Sequence, residues 1–192
     1  YFKPSPNLYA LVNIGYLELM HAGMRAEVVW KNNKKPYGFG LDIAQVQKRD
    51  TGGGFKLENQ HFNTYLASIY YDLQNDWIIK VDGGKYLAGD FGSTISIKRS
   101  FNNGWEIGAY ATLTDVPFKT WGEGSFDKGL TIKAPINWFT GKRSKSYSSA
   151  TIRPITGDGG AKLHLSREKY LYYKVSEYSK KNILDNWARV FR

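Results

Sequence analysis

The chain has no cysteine, few histidines and no hydrophobic run that approaches 18 consecutive residues. The missing cysteines exclude disulfides, thiol catalysis and cysteine-based zinc sites. His21, His61 and His164 lie far apart without ligand-like spacing, so we expect no metal and no cofactor. The short apolar runs exclude a transmembrane helix, but membrane-crossing strands stay possible because they give only a weak hydropathy signal.

Acidic residues are scarce relative to basic ones: Lys and Arg total 27 against 17 Asp and Glu, a formal net charge of +10. Such a balance is typical of proteins that meet nucleic acid, anionic lipid or acidic polymers. Here the basic residues form no single block. They interrupt strands or crowd loops, so they are either solvated charges or the lining of a path for a polyanion. We expect no nucleic-acid partner.

Apolar and polar residues alternate with a period of two in segment after segment. In the stretch 105–114, one face carries Trp105, Ile107, Ala109, Ala111 and Leu113, and the other carries Glu106, Gly108, Tyr110, Thr112 and Thr114. This pattern predicts strands with one apolar and one polar face. We predict about eight, at 7–19, 22–32, 36–49, 63–74, 76–82, 91–101, 104–115 and 129–139, with a weaker ninth near 147–156.

Strand length and turns favour a barrel over a sandwich. Most predicted strands have 8–13 residues, close to the roughly 9–11 that cross a bilayer at a tilt. Tight turns at 74–76 and 102–104 alternate with longer loops at 50–62, 115–128 and 140–147. Short turns on one side and long loops on the other are typical of membrane barrels.

Aromatic residues fall near strand ends, where an interfacial girdle would place them. Hairpin-end packing in a soluble sheet is the alternative. The residues are Trp30, Tyr37, Trp77, Phe101, Trp105, Trp138 and Phe139.

The polar faces carry both signs of charge, which in a barrel must face the lumen because charge on the lipid face is costly. Paired, these residues would brace a narrow barrel; unpaired, the basic ones would line a route for an anionic polymer. They are Arg25, Glu27, Lys31, Asp42, Asp72, Lys80, Asp82, Lys98, Glu106 and Lys133. Glu123 and Asp127 could in principle form a carboxylate pair for glycoside cleavage, but the segment reads equally well as a turn that enters a strand.

The end of the chain has a different, helical pattern. Ser166 can cap a helix that runs to about Phe191, with Leu171 and Val175 on one face and several basic residues on others. We therefore divide the chain into a barrel domain, 1–164, and an amphipathic basic tail, 165–192. The tail could lie on the membrane, plug the barrel, dock on a partner or pack against the barrel end.

Ordered motifs between residues 16 and 163 resemble the YjbH/GfcD family of outer-membrane proteins. The main one is 84–92, with Lys85, Tyr86, Gly89, Asp90 and Gly92. Upstream are 16–18, 22–23 and 27–28, and downstream are 99–104, 111–115, 153–154 and 157–161. The two remaining sets are Gly122, Glu123, Gly124, Ser125, Phe126, Asp127, Lys128 and Gly129, and then Asp158, Gly159 and Gly160. One departure is Gly157, where the family pattern would have Arg before the Asp.

The resemblance implies an outer-membrane barrel that takes part in exopolysaccharide or capsule secretion, with this chain as the C-terminal part of a longer protein. The family brings no catalytic residues. It implies outer-membrane lipid, a polysaccharide and other secretion proteins as partners. The residues expected to face the polysaccharide are Arg25, Lys80, Lys98, Tyr110 and Lys133. The glycines of 83–92 would permit a bulge or kink where a strand bends or where another backbone approaches closely, and Tyr86 and Asp90 would project from this distorted strand.

Together these observations predict an all-β, transmembrane, antiparallel up-and-down β-barrel with a C-terminal α-helix. It would have about eight or more strands, or would complete a larger barrel. The predicted function is non-enzymatic assistance of the export or surface assembly of an anionic exopolysaccharide. The alternatives are a soluble β-sheet carbohydrate-binding module and a barrel enzyme that acts on polysaccharide.

Overall fold

The structure is a computed structural model that describes residues 1–52, 54–73, 75–116, 126–142, 144, 146–153, 159–163 and 171–177. These residues form ten strands: β1 Phe2–Ser5, β2 Leu8–Tyr16, β3 His21–Lys31, β4 Tyr37–Arg49, β5 Leu57–Asp72, β6 Trp77–Lys85, β7 Phe91–Ser100, β8 Glu106–Thr114, β9 Phe126–Pro135 and β10 Tyr147–Ile152. They also form two short helices, α1 Asn137–Thr140 and α2 Leu171–Glu177.

The strands form one sheet whose order follows the chain, from β1 to β10. The predicted antiparallel up-and-down arrangement is therefore confirmed. By packing, the chain divides into two compact units, Tyr1–Ser68 with Lys162–Arg192, and Ile69–Ala161. The division at residue 164 stays a prediction.

The two faces of the strands are buried in the opposite sense to those of a water-soluble sheet. On β3, Arg25 and Glu27 are each only 2% exposed, whereas Met24 on the other face is 54% exposed. On β7, Thr94 is buried and Ile95 is 54% exposed. Charged residues are almost never fully buried unless paired, so this inversion requires a network of partners on the polar face.

The two predicted tight turns are confirmed. Between β5 and β6, the Leu73 amide donates to the Trp77 carbonyl at 2.8 Å, and Asn75 and Asp76 both have φ 61°. Positive φ at both central positions matches the primed turns that suit the twist of a hairpin. Between β7 and β8, the Phe101 amide donates to the Trp105 carbonyl at 2.8 Å.

Several predicted boundaries were wrong. β1 was not predicted, and β5 begins at Leu57 rather than 63, so the supposed loop 50–62 is partly strand. β9 ends at Pro135 and is followed by the one-turn helix α1 instead of running to 139. Proline cannot donate to a sheet ladder, which agrees with the strand ending there. The α1 helix carries Trp138 and Phe139, whose rings lie 5.7 and 6.3 Å from that of Trp105.

The expected separation of short turns from long loops was also wrong. The long connection between β9 and β10, which begins with α1, lies at the same end of the strands as the tight turn between β7 and β8. Consecutive connections of an antiparallel meander lie at opposite ends of the strands. Loop length therefore does not distinguish the two ends of the strands.

The C-terminal helix is described over Leu171–Glu177. Leu171 is buried and Val175 half-buried, as the helical pattern predicts. The predicted cap Ser166 and the residues beyond 177, including Phe191, lie outside the described residues. Within the described part of the chain, no helix combines the length and apolar character that a membrane crossing needs.

Candidate functional site

The polar face of β3 and β4 carries a buried charge cluster. Register places Glu27 opposite Asp42 and Arg25 opposite Ala44. The Arg25 Nη2 donates to Glu27 Oε2 at 2.8 Å and also bonds the Asp42 carboxylate. Arg25 Nη1 is buried without a hydrogen-bond partner among the described residues. The cluster therefore stabilises the guanidinium on one side only.

Helix α2 lies on this same polar face. The Leu171 amide, at the first turn, donates to Glu27 Oε1 at 2.7 Å. The Lys31 Nζ donates to the Tyr172 hydroxyl at 2.8 Å and lies 4.8 Å from the centroid of its ring. A Cβ at Gly38 would lie 2.7 Å from the Tyr172 ring. The missing side chain of Gly38 thus makes room for the helix.

The second unit has its own ion pairs. Lys80 and Asp82 project from β6 two residues apart, with Nζ 2.8 Å from Oδ1, and are 6% and 1% exposed. The Lys80 amine also lies 5.4 Å from the centroid of the buried Tyr70 ring. The carboxylate is on the same strand as Lys80, so the Tyr70 ring on β5 is the contact through which Lys80 connects two strands.

Glu106 on β8 serves two cations, Lys98 on β7 and Lys133 on β9. Its Oε2 lies 3.3 Å from Lys98 Nζ and 3.6 Å from Lys133 Nζ. The Lys133 amine also lies 4.3 Å from the centroid of the Tyr147 ring on β10. One carboxylate thereby connects three adjacent strands.

Tyr110 lies across a glycine of the neighbouring strand. Register pairs Tyr110 with Gly129, and a Cβ at Gly129 would lie 2.6 Å from the ring. The Tyr110 hydroxyl hydrogen-bonds with the side chains of Asp127 and Arg153. The aromatic ring covers the gap that the glycine leaves, a known way to stabilise strand glycines.

The motif 84–92 is the turn between β6 and β7 rather than the distorted strand we expected. The Tyr86 amide donates to the Asp90 carbonyl at 2.8 Å, and Gly89 has φ 93°. The Tyr86 hydroxyl bonds Thr94 Oγ1 at 2.7 Å, which bonds Thr112 Oγ1 at 2.9 Å. Tyr86 therefore points back along the polar face and begins a row of hydroxyl groups.

This turn meets the glycine motif 159–161 across about 70 residues of sequence. The Gly160 amide donates to Asp90 Oδ2 at 2.7 Å, and the Leu87 amide donates to the Ala161 carbonyl at 2.9 Å. Asp90 is 7% exposed, and its Oδ1 has no hydrogen-bond partner among the described residues. Two of the motifs that carried the family resemblance therefore meet at one site.

Close approach explains the glycines in both motifs. A Cβ at Gly92 would lie 2.1 Å from the Leu113 carbonyl oxygen, so any side chain would force β7 away from β8. A Cβ at Gly159 would lie 2.1 Å from Thr114 Oγ1, and one at Gly160 would lie 2.3 Å from Thr112 Cγ2. The expected close backbone approach holds, although no kinked strand is involved.

Four cations lie on the exposed apolar face, each within three residues of a strand end and near an aromatic ring. Lys85 lies 6.0 Å from the Phe91 ring centroid and Lys128 lies 5.1 Å from that of Phe126. Arg49 lies 5.5 Å from the Tyr16 ring centroid, and Arg99 lies 5.5 and 4.8 Å from those of Trp77 and Phe101. The apolar face is thus charged only at its borders in the described part of β4, β6, β7 and β9.

The predicted site residues are therefore spread over several clusters. Arg25 lies in the first unit, and Lys80, Lys98, Tyr110 and Lys133 lie in the second, each with a partner. Asp127 faces Tyr110. Gly122, Glu123, Gly124, Ser125 and Asp158 lie outside the described residues.

Sequence reasoning missed the residues that complete these clusters. Thr94 and Thr112 align only through the pairing of β7 with β8, and Tyr172 reaches Lys31 across 141 residues. The period-two pattern did place Thr112 on the polar face. No local signal could have paired Tyr172 with Gly38. Among the described residues, no three His, Asp or Glu side chains converge as metal ligands would.

The strands form an antiparallel sheet in chain order, with an exposed apolar face and an ion-paired polar face. The chain is therefore an all-β protein with an up-and-down sheet. The particular family follows from sequence comparison. The chain belongs to the YjbH family, because the family model described as "Exopolysaccharide biosynthesis protein YbjH" matches residues 1–177.

A relative is known in Escherichia coli (strain K12). The "Uncharacterized lipoprotein YjbH" is 33% identical over 188 residues, which cover 93% of this chain and 26% of the relative. The chain thus spans about a quarter of that protein's length. No solved structure matches.

Proposed function

We propose that this chain is a β-barrel segment of the bacterial outer membrane that assists exopolysaccharide export or surface assembly without catalysing a reaction. The observation that carries the proposal is the inverted burial of the strands. Fully buried Arg25, Glu27 and Asp82 oppose outward Met24 and Ile95. Water disfavours such an arrangement, whereas lipid outside and a polar lumen inside favour it.

The extent of the apolar surface supports lipid as its neighbour. A typical soluble monomer exposes at most a few hundred Å² of contiguous apolar patch. Here outward branched residues recur on successive strands of the second unit. Val81, Ile95, Ile97, Ile107, Leu113, Leu130 and Ile132 are each at least 37% exposed.

The strand ends support an interfacial position. Lysine and arginine can extend along apolar surface and keep the charge at the membrane–water boundary. Arg49, Lys85, Arg99 and Lys128 lie near strand ends beside aromatic rings. Aromatic side chains prefer the same level.

The family supports exopolysaccharide as the cargo. Its model carries the words exopolysaccharide biosynthesis, and the relative is described as a lipoprotein, a class of membrane-attached protein. We propose outer-membrane lipid, the polysaccharide and other secretion proteins as partners. Because the chain spans 26% of that relative, the activity of the whole protein is part of this proposal.

The ion pairs refine the proposed role of the lysines. Lys80, Lys98 and Lys133 each have a carboxylate within 3.6 Å. We therefore propose that their first role is to brace the strands, and that the braced face presents hydroxyl, ring and charged groups to a passing chain. A barrel of this kind guides the polysaccharide or anchors other secretion proteins, and neither role needs a catalytic group.

Fractionation of cells that express the full-length protein tests the proposal. We expect it in the outer-membrane fraction, with an electrophoretic mobility that changes on heating as a folded barrel unfolds. Recovery as a soluble periplasmic protein would contradict the proposal and support the carbohydrate-binding module instead.

A charge swap tests the brace. Lys80→Glu leaves two carboxylates at the pair with Asp82, and we expect poor assembly and reduced export. The double variant Lys80→Glu with Asp82→Lys restores the pair in reverse and should recover both. If the swapped variant assembles but exports no polymer, position 80 has a guiding role that requires the cation itself.

A further inference from the structure

Two described stretches that follow β10, 159–163 and 171–177, fold back onto the polar face of the sheet. In the second unit, Gly160 bonds Asp90 and Ala161 bonds Leu87. In the first unit, Leu171 bonds Glu27. If the sheet closes as proposed above, this face lines the lumen, so both stretches lie inside.

Both contacts leave a buried charged group incompletely satisfied. Asp90 Oδ1 and Arg25 Nη1 are buried and have no hydrogen-bond partner among the described residues. Asp90 contacts the first stretch directly, whereas Arg25 reaches the second stretch only through Glu27, which accepts from the Leu171 amide. A buried polar atom without a partner is costly, so these contacts do not use the full bonding capacity of the face.

The groups beneath the first stretch suit a hydroxyl-rich ligand. Tyr86, Thr94 and Thr112 form a continuous row of hydroxyls. The Asp90 carboxylate accepts from Gly160, whose Cβ would lie 2.3 Å from Thr112 Cγ2. A sugar hydroxyl can donate to Asp90 as the Gly160 amide does. A second hydroxyl can supply the donor that Oδ1 lacks.

We propose that the stretch 159–161 is a displaceable plug of the second unit, and that the hydroxyl row Tyr86, Thr94 and Thr112 beneath it, together with Asp90, is a contact site for saccharide hydroxyls. The proposal rests on the barrel proposed above. The glycines at 159 and 160 are required because side chains there would meet Thr114 and Thr112. Displacement exposes Asp90 to the polymer, and return of the plug closes the path.

A reversible disulfide tests the movement. An ideal Cβ at Gly159 lies 3.2 Å from Thr114 Cβ, a few tenths of an ångström short of the roughly 3.5–4.5 Å of disulfides. The chain has no cysteine of its own. The double variant Gly159→Cys with Thr114→Cys should therefore close a bond that locks the plug.

The variant is made in the full-length protein, and exported exopolysaccharide is measured with and without dithiothreitol. We expect at least a tenfold loss of exported polymer when the bond is oxidised, and recovery on reduction. The matched control is Ile97→Cys with Ala109→Cys, register partners on the apolar face of β7 and β8. That bond joins the same two strands on the face opposite the plug and the hydroxyl row, so export should not respond to the reductant.

The outcomes separate the two proposals. If the lock forms in a membrane-embedded barrel and export is unchanged, or if the bond fails to form there, the plug is wrong and the barrel stands. If the protein is absent from the outer membrane, the proposed function fails and the plug with it.

A contact measurement tests the ligand class. Retention of purified exopolysaccharide from the producing strain is measured for proteins with Asp90 and with Asp90→Asn. Each is tested with the disulfide between positions 159 and 114 formed (locked) and reduced (unlocked). We expect retention by the unlocked protein, at least a fivefold loss with Asp90→Asn, and no retention when locked. Equal retention by locked and unlocked forms would overturn the site.

Discussion

A lysine at Ile95 tests directly which solvent covers the apolar face. Ile95 lies at the middle of β7, is 54% exposed, and pairs with Val81 and Ala111 on the neighbouring strands. Neither register partner can neutralise an added charge. In lipid, Ile95→Lys should destabilise the fold by about 2–4 kcal/mol, the cost of lysine near the midplane. In water, a substitution at such a surface position usually changes stability by less than about 0.5 kcal/mol.

Ser93→Lys is the matched control because it lies on the same face, two residues nearer the strand end. At about 3.4 Å per residue and a tilt of about 40°, Ser93 lies about 5 Å closer to the boundary. The cost of a charge falls toward the interface. We therefore expect Ser93→Lys to cost clearly less than Ile95→Lys.

The assay is reversible urea unfolding in lipid vesicles, followed by the fluorescence of the six tryptophans. The free energy of unfolding of each variant is compared with that of the wild type. Equal and small effects at the two positions would refute lipid exposure, because depth matters only in a membrane.

Two further predictions concern packing and charge. Gly129→Ala should lower the free energy of unfolding by about 1–3 kcal/mol, because its Cβ would lie 2.6 Å from the Tyr110 ring. The control Gly83→Ala, whose Cβ would meet nothing closer than 3.7 Å, should lower it distinctly less. Equal losses would argue against the clash. Glu106→Gln should cost about twice as much as Lys133→Met, because the carboxylate serves two cations and each part-exposed pair contributes about 0.2–1 kcal/mol. Equal losses in urea unfolding would show that the carboxylate is not shared.

The sheet could be predicted because its signal is local and repeated. Alternation assigned Thr112 and Leu113 to opposite faces, and the structure buries the first and exposes the second. Turn chemistry located the hairpin at Gly104, since asparagine and glycine tolerate positive φ. Both signals act within a few residues, so no tertiary information was needed.

The clusters could not be predicted because their members are distant in sequence. Lys31 meets Tyr172 across 141 residues, and Asp90 meets Gly160 across 70. Alternation says that Lys31 is on the polar face, but not which element covers that face. The motif 84–92 was misjudged as a strand distortion because dense glycine suits a bulge and a turn equally well.

The contacts of α2 also determine when the interior can be completed during assembly. The bond between Leu171 and Glu27 joins residues 144 positions apart, and such long-range contacts form late because the chain entropy must be lost first. The hairpins, by contrast, close between neighbours. If the chain forms the proposed barrel, an inserting molecule passes through a stage in which all strands are paired while Arg25 and Glu27 still face water. A chaperone or protease that inspects unfinished barrels would then find its recognition signal there, on the polar face.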